Sequence, residues 1–224
     1  MGLSRRSLTR VRALALVAAL LLTAPIARAD GLLYKPGDII LPLVTYVDNA
    51  AVGEVVDFDP NTLNSTPIAT GDLLAAPLGA ALDANGDILV VEEQYATDTT
   101  TTPARILRID GHSGAQSLVA DLPADALASN NGSIGGVPCN PARLGSSLYI
   151  RTSEGIIEVD LDTGSVSEIA KDGFLAGAGS GIFFVTAETD STLLTFTQAG
   201  HLLIRVAVAT GQLNRPGFSG DSVS

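Results

Sequence analysis

The chain has 224 residues, with 13 Lys and Arg against 24 Asp and Glu and a net charge of −11. That balance excludes the basic footprint by which proteins hold nucleic acid, and the single cysteine, Cys139, excludes both an intrachain disulfide and a thiolate metal cluster. At 46% apolar and 4% aromatic, with no Trp, the chain has the material for a packed core, and that core must be aliphatic.

Residues 1–29 contain Arg5, Arg6, Arg10, Arg12 and Arg28 and no acidic residue. A basic start, an apolar run over residues 13–22 and the sequence Ala27-Arg28-Ala29 ahead of Asp30 form the three-part pattern of a cleavable secretory signal. The apolar run is shorter than the roughly 20 residues that span a bilayer. Ser4-Arg5-Arg6-Ser7-Leu8-Thr9-Arg10 resembles the twin-arginine export signal, with Leu8 at the bulky apolar position and Thr9 departing from the pattern, so both that route and the general secretory one stay open. Cleavage after Ala29 leaves residues 30–224 and removes basic residues only, which makes the mature chain more acidic still and repels it from anionic lipid. No later apolar stretch is long enough to span a membrane, and the expected location is periplasmic or extracellular.

After the signal the chain repeats itself. Gly53-Glu54-Val55-Val56-Asp57-Phe58-Asp59, Arg105-Ile106-Leu107-Arg108-Ile109-Asp110 and Gly155-Ile156-Ile157-Glu158-Val159-Asp160 each read as a strand closed by an aspartate, with the aspartates spaced near fifty residues. His201-Leu202-Leu203-Ile204-Arg205-Val206-Ala207 is a fourth copy in which Ala207 stands for the aspartate. Turn residues follow every copy: Pro60-Asn61-Thr62, Gly111-His112-Ser113-Gly114, Leu161-Asp162-Thr163-Gly164 and Val208-Ala209-Thr210-Gly211. Asp, Asn and Gly there supply Asx-type hydrogen bonds and positive φ.

Further strands precede each copy: Asp38-Ile39-Ile40-Leu41 in the first, then Ser147-Leu148-Tyr149-Ile150-Arg151 and Gly181-Ile182-Phe183-Phe184-Val185 in the later ones. In the second, Asn85-Gly86 between Gly79-Ala80-Ala81-Leu82 and Ile88-Leu89-Val90-Val91 predicts a hairpin with a two-residue turn. Beyond the signal only residues 124–128 suggest a short helical turn. Each unit therefore reads as a three- or four-stranded antiparallel meander. The fold class expected is all-β, a β-propeller-like array of about four such blades over residues 30–70, 71–121, 122–172 and 173–215.

The stretches Pro77-Leu78-Gly79-Ala80-Ala81-Leu82-Asp83, Gly86, Ile88-Leu89-Val90-Val91 and Arg105-Ile106-Leu107-Arg108-Ile109-Asp110 resemble the NHL-type repeat and its six-bladed relatives, among them the gluconolactonase-like and strictosidine-synthase-like families. The resemblance runs over roughly residues 53–211 and implies blades set around an axis with ligands bound at one mouth. The absence of Trp argues against WD-type blades. Four repeats are fewer than those relatives use, so a ring of four, an array closed by another chain and a truncated product are all compatible with the sequence.

The candidate chemistry lies in the connections. Residues 96–103 (Ala-Thr-Asp-Thr-Thr-Thr-Thr-Pro) read as a solvated loop whose one acidic group is Asp98. Residues 122–144 carry Ser129-Asn130-Asn131-Gly132 and Asn140, and loops of this kind concentrate binding residues. Glu92 and Glu93 end a strand together, and because neighbours on a strand point to opposite faces only one of them can enter a given pocket. Glu92, Glu93, Asn130, Asn140 and Glu154 are the candidate binding residues, for a protein or small-molecule ligand that the sequence does not identify. Under the alternative implied by the gluconolactonase-like resemblance, a metal-dependent lactonase or hydrolase, the same oxygens would hold a calcium-like divalent cation. The Glu-Gly-Pro start of that family's first blade is missing from this chain. Asp160-Leu161-Asp162-Thr163-Gly164 lacks the remaining oxygens of a calcium loop and reads as a turn, and His112 reads as an exposed turn residue. Ala178-Gly179-Ser180-Gly181 is no nucleophile elbow, and phosphate loops of the Gly-rich Lys type are absent from the sequence.

Overall fold

The computed structural model describes residues 31–47, 50–96, 101–123, 140–152, 155–171, 182–197 and 202–214. The sequence expectations for residues 1–30, Asp98, residues 124–128, Asn130, Asn131, Cys139, Glu154, residues 178–181 and His201 lie outside these. The described structure is all-β. Sheet I consists of β1 (Ile39–Val47), β2 (Ala50–Asp59) and β3 (Asn64–Thr70). Sheet II consists of β4 (Pro77–Leu82) and β5 (Ile88–Glu92), then β8 (Arg105–Ile109) and β9 (Gln116–Asp121). The short ladder of β6 (Tyr95–Ala96) with β7 (Thr101–Thr102) interrupts it between β5 and β8. Sheet III consists of β10 (Ala142–Leu144), β11 (Ser147–Arg151), β12 (Gly155–Asp160) and β13 (Val166–Lys171). Sheet IV consists of β14 (Ile182–Thr189), β15 (Thr192–Thr197), β16 (Leu202–Ala207) and β17 (Leu213–Asn214). All pairings are antiparallel and follow chain order, so every sheet is a meander. Among the described residues sheet I has three strands, with none at the first-strand position that β4, β10 and β14 occupy in the others.

Alternation along the strands explains why the sheets stack. On β5, Ile88 and Val90 join Leu107 and Ile109 of β8 in a cluster with Ile40, Val55 and Ile68 of sheet I. Leu89, Val91 and Ile106 point the other way, into a cluster with Leu148, Ile150, Ile157 and Val159 of sheet III. Tyr149 and Ile156 of sheet III then meet Val185, Leu193, Ile204 and Val206 of sheet IV. All five residues of β5 are buried, as a strand covered on both faces requires. Each Leu or Ile so enclosed contributes roughly 1.5–3 kcal/mol relative to exposure, and no sheet can collect that contribution without a neighbour. The strand β10 approaches both β4 and β14, which gathers successive sheets at their first-strand edge as in a propeller.

Turn chemistry recurs with the sheets. Asp59 accepts the amides of Asn61 and Thr62, Asp110 those of His112 and Ser113, and Asp160 those of Asp162 and Thr163. Hydrogen bonds to the charged form, from the Ser113 and Thr163 hydroxyls at Asp110 and Asp160 as well as from these amides, hold all three carboxyls below the ordinary aspartate range. Ala207 closes the fourth turn through its backbone alone, accepting from Gly211 at 2.8 Å and donating to Gln212 at 3.0 Å. The last strand of sheets I to III carries a bulge at the same place, where Ile68, Val119 and Ile169 are skipped in the ladder. The turn glycine of the following sheet, Gly114, Gly164 or Gly211, sits on the carbonyl of that skipped residue.

The β4–β5 hairpin is present, with a longer loop than the two residues expected from Asn85-Gly86. It closes over residues 83–87, where Asp83 N–H donates to the Asp87 carbonyl at 2.8 Å and the Asn85 amide braces the Asp87 carboxylate at 2.7 Å. Among the described residues no helix is long and apolar enough to cross a membrane.

Candidate functional site

Glu92 ends β5 and is wholly enclosed. Its two carboxylate oxygens accept the Ala75 amide at 3.0 and 3.1 Å, and the Arg105 guanidinium lies 3.5 Å away. Arg105 also donates to the Leu73 carbonyl, while the Gln116 side-chain oxygen accepts the amides of Leu73 and Leu74 at 2.9 and 3.1 Å. Three side chains of sheet II thus satisfy the backbone of the connection that descends from β3 to β4. Burial raises the Glu92 pKa, opposed by the Ala75 amide and the Arg105 charge. Chemically this is a clamp on a crossing chain.

Glu93 follows the last residue of β5 and takes no part in that clamp. It is half-buried, its amide donates to the Ala76 carbonyl at 3.0 Å, and burial raises its carboxyl pKa. Asn140, also half-buried, lies two residues before β10, the first strand of sheet III. Because β5 ends and β10 begins at the same end of equivalent meanders, Glu93 and Asn140 mark one end of adjacent sheets. Of the five candidate residues, then, two share an end of the stack, Glu92 is withdrawn into a structural contact, and Asn130 and Glu154 are outside the described residues.

The opposite end holds a charged cluster that sequence reasoning missed. Asp83 accepts from Arg108 of its own sheet at 3.2 Å and lies 2.9 Å from the Arg143 Nε on β10 of sheet III. Asp87, nearly buried, takes the Gly111 amide at 3.1 Å and lies 3.9 Å from the Arg108 Nε. The Tyr34 hydroxyl donates to the Gly86 carbonyl at 2.7 Å, and burial together with the Asp87 charge raises its pKa. Arg108 set between the apolar Leu107 and Ile109 of β8 was the available signal. Two guanidiniums and two carboxylates neutralise one another here, so the cluster ties sheet II to sheet III. His112 is exposed on its turn. Among the described residues, His, Cys, Asp and Glu do not gather in a group of three that could hold a metal ion.

No family model matches this chain, and no curated protein matches it in sequence. Solved structures do. TolB from Acinetobacter baumannii is similar at a TM-score of 0.51 and 18% identity, over 82% of this chain and 42% of that one. A GH74 enzyme from Niastella koreensis is similar at 0.52 and 14%, over 80% of this chain and 28% of the other. The luciferin-regenerating enzyme gives 0.50 and 10%, over 81% and 59%. The chain therefore spans less than two thirds of the length of each. TolB and the luciferin-regenerating enzyme are β-propellers, and the likeness shows a propeller-like fold here.

Proposed function

We propose that the protein is an exported binding module of the propeller type, related to NHL-like repeats, that takes a protein or small-molecule ligand at the end of the stack marked by Glu93 and Asn140. The division between the two adjacent glutamates carries this reading: Glu92 is spent on the Ala75 amide and Arg105, while Glu93 has left the strand for the connection at the end of the sheet where Asn140 of the next sheet also lies. The signal pattern of residues 1–29 supports export, and the acidic balance supports a ligand other than nucleic acid or anionic lipid. A thermal-shift screen of small molecules and peptides tests it, since a ligand specific to the native state raises the melting temperature. A ligand whose shift is lost in Glu93→Gln and Asn140→Ala supports the site. A ligand whose shift survives both variants removes it.

The metal-dependent lactonase or hydrolase fits the residues less well. Glu93 and Asn140 offer the hard oxygens that a calcium-like cation takes, but Glu92 does not fit, because its carboxylate is enclosed and already bonded. Stoichiometric calcium in the purified protein, lost in Glu93→Gln, would favour this second reading.

A further inference from the structure

The four sheets stack through a repeated set of positions. Each sheet meets the one before it through two residues of its second strand and two of its third: Ile88, Val90, Leu107 and Ile109 in sheet II, and Leu148, Ile150, Ile157 and Val159 in sheet III. Each meets the one after it through the alternate residues of the same two strands: Ile40 and Val55, then Leu89, Val91 and Ile106, then Tyr149 and Ile156. The register carries both sets onto the ends of the stack. On sheet I, Ile39 pairs with Phe58 and Leu41 with Val56, and all four face away from sheet II at the positions that meet a preceding sheet. On sheet IV, Leu194 pairs with Arg205, just as Leu89 pairs with Arg108 and Tyr149 with Glu158. Leu194 and Leu203 therefore stand where Tyr149 and Ile156 stand on sheet III.

These end residues are of the same apolar kind as their internal counterparts but are less enclosed. Ile39, Leu41, Phe58, Leu194 and Leu203 are half-buried and Val56 is buried at 4% exposure, whereas Ile88, Val90, Leu107 and Ile109 have no exposure. One chain thus carries both halves of its own inter-sheet joint. We propose that the protein associates head to tail with a second copy of itself, sheet IV of one copy docking through Leu194 and Leu203 onto Ile39, Leu41, Val56 and Phe58 of sheet I of the other. The interface is heterologous, two different patches meeting, and extends the stacking already used three times within the chain.

One contact of the internal joints is not copied. Where Gly114, Gly164 and Gly211 sit on the carbonyl of the preceding sheet, sheet I has Leu63, at φ 59° and 74% exposed. Its side chain props the joint open at that end and makes it weaker than the internal ones. Leu63→Gly removes the prop.

Light scattering on the protein expressed from its full reading frame, at roughly 100 µM so that an association with a Kd of about 1 µM would be nearly complete, tests the proposal. The expected result is a mass of two or more copies. Leu41→Asp and Leu203→Asp, each disabling one patch, are each expected to give monomers, and an equimolar mixture of the two to regain a dimer through the one intact patch that each retains. That rescue also shows that neither variant is misfolded. Leu63→Gly is expected to tighten the Kd about tenfold. A monomeric parent protein, association that survives both aspartates, or a mixture that stays monomeric would overturn it.

Discussion

A Cβ placed on Gly164 would stand 2.6 Å from the carbonyl oxygen of Val119, the residue skipped at the bulge of the preceding sheet. The bulge turns a carbonyl out of its ladder, and only a residue without a side chain lets the next turn close over it. Gly114 over Ile68 and Gly211 over Ile169 repeat the relationship, each nearer still. At Gly164 the backbone is also left-handed, with φ 71°. Gly164→Ala is therefore expected to cost about 2–4 kcal/mol, from overpacking added to the strain of positive φ. Gly145 has φ 60° but no atom within 4 Å of a built Cβ, so Gly145→Ala isolates the φ term at about 1 kcal/mol. Urea melts of the two variants check the difference. Equal costs would mean that the carbonyl contact contributes nothing.

Leu63 occupies the same turn position without a sheet in front of it, and there only the backbone strain applies. Leu63→Gly is expected to raise the stability of the monomer by roughly 0.5–1 kcal/mol, a few degrees in Tm. The melt is to be read at low protein concentration, where association adds nothing. An unchanged or lower Tm would count against a strained Leu63.

The clamp at Glu92 predicts a graded response. Glu92→Ala leaves the Ala75 amide without its acceptor and the Arg105 charge without its counterion, and is expected to cost about 3–5 kcal/mol. Glu92→Gln keeps an acceptor for the amide and is expected to cost about 1–2 kcal/mol. Were Glu92 instead held ready for a ligand or cation, both changes would leave the melting temperature unchanged or raise it.

Asp57 faces Asp38, and burial, then the Asp38 charge and its hydrogen bond, push its carboxyl up to about 6. A raised acid pKa means that the folded state binds more protons than the unfolded state between about pH 4 and 6, so this group's contribution falls as pH rises through that window and is level above it. Asp57→Asn mimics the protonated form. Its Tm relative to the parent protein is therefore expected to be higher at pH 7 than at pH 4. The same difference at both pH values would show that Asp57 titrates normally.

Much of this architecture was legible in the chain itself, because a repeated sheet repeats its turn. Asp59, Asp110 and Asp160 sit where Asx hydrogen bonds close a turn, and the apolar runs before them give strands. The loop of residues 83–87 was misjudged in length because Asp83 and Asp87 close it through backbone bonds, which side-chain identity does not announce. The ladder of Tyr95–Ala96 with Thr101–Thr102 falls largely in the stretch 96–103 whose composition predicts a loop, since two-residue strands leave no periodicity. The candidate site was less legible. Alternation separates Glu92 from Glu93, yet which of them is enclosed depends on where Ala75 crosses, a tertiary fact with no local pattern. The Asp83–Arg143 tie spans two repeats in the same way.

Hydrogen exchange resolved by residue, measured on Leu41→Asp so that association adds no protection, tests the stacking of the sheets most directly. If each sheet shields its neighbours, the amides of β5, β8, β11 and β12, covered on both faces, exchange only through global unfolding, and those of sheets I and IV exchange faster. Protection that is uniform across all four sheets, or strongest in sheet I, would contradict the account.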